Sequence, residues 1–301
     1  MLVLDGGDVR HLGRQGRLLR SVPTRRVRFR SPAGIHDGVV TEGATGLCVS
    51  ETEGDPSVAV LDPDTLALPE PYTLLMPVEP PEVWCSGVTY ERSRDARIEE
   101  SGSDVYARVY DADRPELFLK DAQCRRTVGP GQPIAIRSDS TWNVPEPEIG
   151  LVLGDDLEIV GYTIGNDVSS RDIEGANPLY IPQAKVFAGG CALGPAVYVP
   201  DDWDAPLELR MRVEDAAGAE LFAGTVSTDV MKRGFTELVS WLVRDNPVPP
   251  GSVLLTGTGL VPPDDFTLLP GHVVEISVAE IGTLRNPVVR ASELLARGSP
   301  R

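Results

Sequence analysis

The most constraining stretch of this chain is residues 144–168, Val-Pro-Glu-Pro-Glu-Ile-Gly-Leu-Val-Leu-Gly-Asp-Asp-Leu-Glu-Ile-Val-Gly-Tyr-Thr-Ile-Gly-Asn-Asp-Val. It reads as strand, turn, strand, because Gly154-Asp155-Asp156 is turn chemistry between two apolar runs. With Asp155 and Asp156 as the two turn residues, Gly154 pairs with Leu157. Glu148 then falls opposite Thr163, Glu146 opposite Gly165, and Asp167 opposite Val144. Side chains alternate along a strand, so Glu146 and Glu148 share a face, and in this register Asp167 joins them. Three converging carboxylates are costly in a fold unless a cation sits between them. Oxygen ligands with room for water and substrate suit a hard ion, Mg²⁺ or Mn²⁺. By periodicity alone the same pattern equally describes the polar face of a solvated hairpin, and a one-residue slip would send Asp167 to the other side. Pro145 and Pro147 each remove a ladder donor, which places this stretch at an edge or mouth of a sheet.

Charge narrows the partners. The 301 residues carry 45 acids against 28 bases, a net charge of −17, which repels nucleic acid and anionic lipid. The basic stretch Arg10–Arg30 lacks interleaved aromatics and reads as a solvated face. No apolar run approaches the ~20 residues that cross a membrane. The start, Met1-Leu-Val-Leu-Asp-Gly-Gly-Asp, lacks the pattern of a signal peptide. Cys48, Cys85, Cys124 and Cys191 are widely spaced, which argues against a zinc site and a disulfide framework and for reduced thiols in a cytoplasm. His11, His36 and His272 are the only histidines, and none lies in a catalytic-looking context. The expected chemistry therefore runs without histidine.

Proline punctuation from Pro69 to Pro81 marks a boundary. It divides a small β-rich N-terminal domain, residues 1–76, from a larger catalytic domain, residues 80–292. Val83–Val88, Leu207–Val213, Val253–Thr256 and Val273–Val278 read as strands. Met231, Phe235, Leu238 and Leu242 recur at helical spacing, with Asp229 as N-cap and Asn246-Pro247 as stop. The fold class is β-rich α+β.

Four blocks in order carry a family resemblance. They are Glu146-Pro-Glu-Ile-Gly-Leu-Val-Leu-Gly, Gly161-Tyr-Thr-Ile-Gly-Asn-Asp-Val-Ser-Ser-Arg-Asp, Leu254-Leu-Thr-Gly-Thr-Gly, and Pro270-Gly-His-Val-Val-Glu-Ile with Ile281-Gly-Thr-Leu-Arg-Asn-Pro-Val. Over about Trp84 to Val288 the chain resembles the fumarylacetoacetate hydrolase superfamily. Gly87-Val-Thr-Tyr-Glu, Val109-Tyr-Asp-Ala-Asp-Arg-Pro-Glu-Leu-Phe-Leu-Lys, Arg137-Ser-Asp-Ser-Thr-Trp, Asn177-Pro-Leu-Tyr-Ile-Pro-Gln-Ala-Lys and Arg244-Asp-Asn-Pro-Val-Pro resemble its 2-keto-3-deoxy-D-arabinonate dehydratases. The resemblance implies a mixed β-roll catalytic domain of fumarylacetoacetase type and a divalent metal, Mg²⁺ or Mn²⁺, on Glu146, Glu148 and Asp167. It also implies a homo-oligomer, dimer or tetramer, and a small 2-oxo acid substrate giving 2,5-dioxopentanoate. One departure stands out. Hydrolases and decarboxylases of the superfamily carry a lid histidine, whereas the segment Tyr90–Glu100 has none.

A metal-held 2-oxo acid loses a C3 proton readily, and a C4 hydroxyl can then leave if an acid protonates it. Lys185, in the apolar run Ile181-Pro-Gln-Ala-Lys-Val-Phe, is the expected amine for proton transfer, with a pKa lowered by desolvation. A snorkelling surface lysine is the plainer reading of the run, and the resemblance favours the functional one. Glu116, opening Leu117-Phe-Leu, is the expected acid; a solvated strand end is the alternative. Lys120 is expected to hold the substrate carboxylate, and Thr258, in a glycine-rich loop, to donate to an anion. The resemblance adds Tyr90 and Arg171 as substrate contacts. A hydrolase or decarboxylase of acylpyruvate-type or oxaloacetate-type substrates, and a catalytically silent metal-binding scaffold, are the competing readings.

Overall fold

The computed structural model of the chain describes residues 23–43, 46–51, 58–101 and 105–296, without the side chains of 99–101. His11, the segment Met1–Asp8 and the first part of the Arg10–Arg30 stretch lie outside the described residues. The chain opens with β1 (Thr24–Ser31), β2 (Gly34–Gly43), β3 (Gly46–Ser50), β4 (Ala59–Val60) and β5 (Thr73–Leu75). Then come β6 (Glu82–Gly87), α1 (Glu91–Ser101), α2 (Val105–Asp111) and β7 (Glu116–Ala122). Short strands β8 (Thr127–Val128), β9 (Ile134–Ile136) and β10 (Asn143–Val144) lead into the hairpin β11 (Pro147–Leu153) and β12 (Ile159–Asp167). After β13 (Ser169–Ser170) come α3 (Arg171–Ala176), a 3-10 turn at Pro178–Tyr180, α4 (Ile181–Lys185) and β14 (Cys191–Val199). The chain closes with β15 (Glu208–Glu214), β16 (Glu220–Ser227), α5 (Phe235–Leu242), β17 (Val253–Leu255), β18 (Val273–Val278), β19 (Gly282–Arg290) and α6 (Ala291–Ala296).

The large sheet runs β4-β3-β2-β1-β14-β12-β11-β17-β6-β7, and a five-stranded sheet runs β16-β15-β18-β19-β9. The expected β-rich α+β architecture is present. All seven residues of β11 are buried, so both of its faces are covered. Ile149, Leu151 and Leu153 share one core with Leu209, Met211, Val213 and Ile276 of the second sheet. Val152 belongs to a separate core on the other face, with Val83, Cys85, Leu193 and Leu255. Burying each such side chain stabilises the fold by roughly 1.5–3 kcal/mol. Glu146 and Glu148 alternate onto the face of Val152.

Two local readings need correction. The prolines do not mark an edge: β11 lies between β12 and β17, well inside the sheet. Pro147 is the first residue of β11, a position that needs no ladder donor, and Pro145-Glu146 separates β10 from β11. The helix near Phe235 starts at Phe235 behind Gly234, and Asp229 sits in a separate 3-10 turn whose Ser227 hydroxyl accepts from the Asp229 amide. Met231 therefore packs from an extended segment. The strands before Met76 are joined to the rest by one ladder, Thr24 opposite Val199 through Arg26 opposite Val197.

Candidate active site

Glu146 lies just before β11, Glu148 is its second residue, and Asp167 closes β12. The Asp167 amide donates to the Glu146 carbonyl at 2.9 Å, so these two residues face each other across the hairpin. Glu148 stands opposite Gly165. This register differs by two from the one expected, for two reasons. Leu157 adopts a left-handed conformation (φ 60°) and adds a third residue to the Asp155-Asp156 turn. A bulge between Val152 and Leu153 supplies the second offset. Each offset alone would flip the face, and together they restore it. One oxygen from each of the three carboxylates lies within 4.8 Å of the others, and all three residues are buried.

Buried carboxylates need partners. Glu146 Oε2 accepts from Lys185 Nζ at 2.5 Å, and its Oε1 accepts from Arg171 at 2.9 Å and from Arg97 at 3.1 Å. Asp167 is paired with Lys120, and Lys185 approaches its other oxygen at 3.1 Å. A fourth carboxylate, Glu174, pairs with Arg97 and lies 3.9 Å from Lys185 Nζ. Glu148 differs: its hydrogen-bond donor is the Gly257 amide at 2.7 Å, with no cation paired to it among the described residues. Gly257 takes a left-handed conformation (φ +89°), and a Cβ there would strike the Thr89 hydroxyl and the Ser86 carbonyl.

The electrostatics follow from these contacts. Burial opposes ionisation of Glu146, but Lys185, Arg171 and Arg97 outweigh it and hold the carboxyl well below its usual range. Burial, then Asp167 and Glu146, push Glu148 far above that range. Burial also raises Glu116. For Lys185, burial lowers the pKa, but Asp167, Glu146 and Glu174 together outweigh it and hold the ammonium above its ordinary value. The lowered lysine pKa expected from the sequence is therefore reversed, because three carboxylates surround the amine.

The donor set fits a hard divalent cation. Glu148 is a buried acid without a cation, it sits against two more carboxylates, and all the facing donors are oxygen.

The cavity over this cluster is walled by Glu116, Lys185, Thr258, Arg97 and Glu174 besides the three acids. Lys185 ends α4 and also donates to the Ser169 hydroxyl at 2.6 Å. Glu116 opens β7 opposite Gly87. Thr258 reaches the cavity, though its hydroxyl also donates to the Leu260 carbonyl at 3.2 Å. Lys120 and Arg171 do not wall the cavity. Lys120 points to Asp167 and to the Val168 carbonyl at 3.0 Å, while Arg171 turns to Glu146. Tyr90, buried just before α1, packs beside Gly259. Arg97 and Glu174 went unnoticed in the sequence. Arg171 and Glu174 stand three apart on α3, a spacing that puts them on one helix face and was the available signal.

The family profile described as fumarylacetoacetate (FAA) hydrolase C-terminal matches residues 82–289, and the chain belongs to this family. It is 45% identical over 224 residues to the 2-dehydro-3-deoxy-D-arabinonate dehydratase of Saccharolobus solfataricus, covering 72% of this chain and 75% of that protein. It is 52% identical over 215 residues to a probable 2-keto-3-deoxyxylonate dehydratase of Haloferax volcanii, covering 71% and 74%. A solved 2-keto-3-deoxy-D-arabinonate dehydratase, complexed with magnesium and 2,5-dioxopentanoate, superposes with a TM-score of 0.75 at 35% identity, covering 88% of this chain and 99% of the other.

Proposed function

We propose that the protein is a Mg²⁺-dependent dehydratase that converts 2-keto-3-deoxy-D-arabinonate to 2,5-dioxopentanoate and water. The observation that carries this reading is the buried Glu146–Glu148–Asp167 cluster with Lys185 and Glu116 on the walls of the same cavity. Glu146, Glu148 and Asp167 would hold the ion. Bound there, Mg²⁺ (or Mn²⁺) polarises the 2-oxo group of the substrate and acidifies C3. Lys185 takes the C3 proton once the charges of Glu146 and Asp167 are taken up and no longer hold its own proton. Glu116, kept protonated by burial, gives a proton to the C4 hydroxyl as it leaves. Lys120 and Arg171 act one step back, holding Asp167 and Glu146 in place. Thr258 and Tyr90 line the substrate's surroundings from the far side.

Hydrolysis would need a base to activate water. The side chain that α1 brings to the cluster is Arg97, which stays protonated in proteins. The side chains of Glu99 and Glu100 lie outside the described residues. A silent scaffold would have no use for a lysine and a glutamic acid buried beside an acidic triad.

The substrate is a small 2-oxo acid. Among the described residues no helix is long and apolar enough to cross a membrane. The four cysteines are free thiols, in keeping with a reducing cytoplasm. The same reading takes the enzyme as a homo-oligomer, dimer or tetramer. Mass spectrometry of the product tests the reaction: loss of one water is expected, whereas two carbon fragments, or CO₂ released from oxaloacetate at a higher kcat/KM, would replace this reading with the hydrolase or decarboxylase one.

A further inference from the structure

The cavity over the carboxylates has a volume of only about 20 Å³. That is room for little more than one water or ion. A second, open pocket of about 450 Å³ lies beside it, in the size range of small-molecule sites. The two share Glu116 and Ile181 as walls. Val105 and Val109 of α2, Leu117 of β7, and Pro178 form most of the remaining surface of the outer pocket.

We propose that this outer pocket is a subsite for the end of the substrate beyond C4, and that it admits 2-keto-3-deoxy acids of six carbons whose last carbon is a methyl group. The inference rests on the dehydratase reading, and in particular on Glu116 as the acid at C4. If the C4 hydroxyl leaves against Glu116, then C5 and anything attached to it passes the shared wall into the outer pocket. The pocket is larger than a C5 hydroxymethyl group needs. Its aliphatic walls offer no partner for added hydroxyls, which favours a methyl terminus over a polar one. Glu116 at the neck disfavours a second carboxylate. Arg114, the cation on this wall, has its guanidinium stacked 4.5 Å over the Trp241 ring. The reaction itself is unchanged: the C3 proton and the C4 hydroxyl leave as water, and C5 and C6 are carried through.

The test uses the full chain loaded with Mg²⁺ and three acids of matched C4 configuration: the 2-keto-3-deoxy pentonate, the corresponding hexonate, and its 6-deoxy form. The 6-deoxy acid is expected to reach a kcat/KM within tenfold of the pentonate or above it. It should exceed the hexonate by about tenfold, the usual worth of a methyl group in an apolar pocket. Val109→Trp should lower the ratio of 6-deoxy acid to pentonate at least tenfold, and Val109→Ala should not lower it. Turnover of the pentonate with both six-carbon acids more than a hundredfold worse would overturn the subsite and leave the dehydratase reading standing. An unchanged ratio in a folded Val109→Trp variant, checked by its melting curve, would remove the pocket from the substrate's path. Failure of all three acids would overturn the dehydratase reading and this inference with it.

Discussion

Gly87 and Glu116 face each other across β6 and β7, and a Cβ on Gly87 would fall inside the Glu116 carboxyl group. The glycine leaves the space that the proposed acid occupies. Gly87→Ala is therefore expected to displace Glu116 at an overpacking cost of about 1–3 kcal/mol. It should lower kcat at least tenfold while leaving Mg²⁺ affinity, measured by calorimetry, near the wild-type value. Full activity in the alanine variant would mean that Glu116 does not work from this position.

Burial raises Glu116; Arg97 pulls it down again and Glu174 pushes it up. A raised folded pKa means that the folded chain holds this proton more tightly than the unfolded chain. Its stabilising contribution is complete below the unfolded pKa and is lost as pH rises through the folded one. Activity should fall on the same alkaline side, because the protonated form is the acid. Glu116→Gln should lower kcat by ~10²–10⁴ and abolish that alkaline limb. A variant profile that keeps the limb would assign it to another group.

Glu148 is also raised, by burial first and then by Asp167 and Glu146. By the same sign, the metal-free protein should lose stability as pH rises through the folded value of this group. Glu148→Gln removes the penalty and should raise the metal-free melting temperature by a few degrees, at roughly 2–4 °C per kcal/mol. The same variant should lose the stabilisation that added Mg²⁺ gives the wild type. Glu146→Gln and Asp167→Asn should likewise weaken Mg²⁺ binding and stop turnover. Unchanged Mg²⁺ affinity in these variants would remove the carboxylates from the metal site.

Lys185 needs only to move a proton. Lys185→Met should cost ~10²–10⁴ in kcat, with a smaller change in metal affinity. Borohydride reduction in the presence of substrate should leave the protein mass unchanged. A reduced adduct on Lys185 would replace proton transfer with Schiff-base chemistry.

Arg97 and Glu174 tie α1 to α3 beneath the cavity. Breaking a buried pair by removing one partner costs ~3–5 kcal/mol, because the other charge is stranded. Arg97→Met and Glu174→Gln should each destabilise the fold on that scale, and the double variant should cost less than their sum. Urea unfolding of the three variants measures the coupling. Strict additivity would show that the two residues act independently.

The face shared by the three carboxylates was legible in the sequence because it depends only on parity. Leu157 and the bulge after Val152 shifted the register by two, which changed every partner and no face. The bulge has no residue signature of its own, so the true partners were not readable. The charge partners were harder. Lys120 reads as a strand-end lysine facing substrate, but in the fold β7 turns it inward to Asp167. Arg97 lies in a polar helix with no apolar stripe to orient it. Its role appears only when α1 is folded over Glu146. The edge expected from Pro145 and Pro147 failed for a similar reason, since β17 comes from a hundred residues downstream to cover β11.

The ladder between β1 and β14 has a practical consequence. In a chain beginning at residue 77, the outer half of β14, with Ala196 and Val197 buried in the intact fold, would become an open strand edge. Such an edge recruits other chains through its free amides and carbonyls. The metal cluster, all of it downstream, would still assemble. The shortened protein should therefore still bind Mg²⁺ but self-associate with rising concentration, so that the first strands act as a guard on solubility.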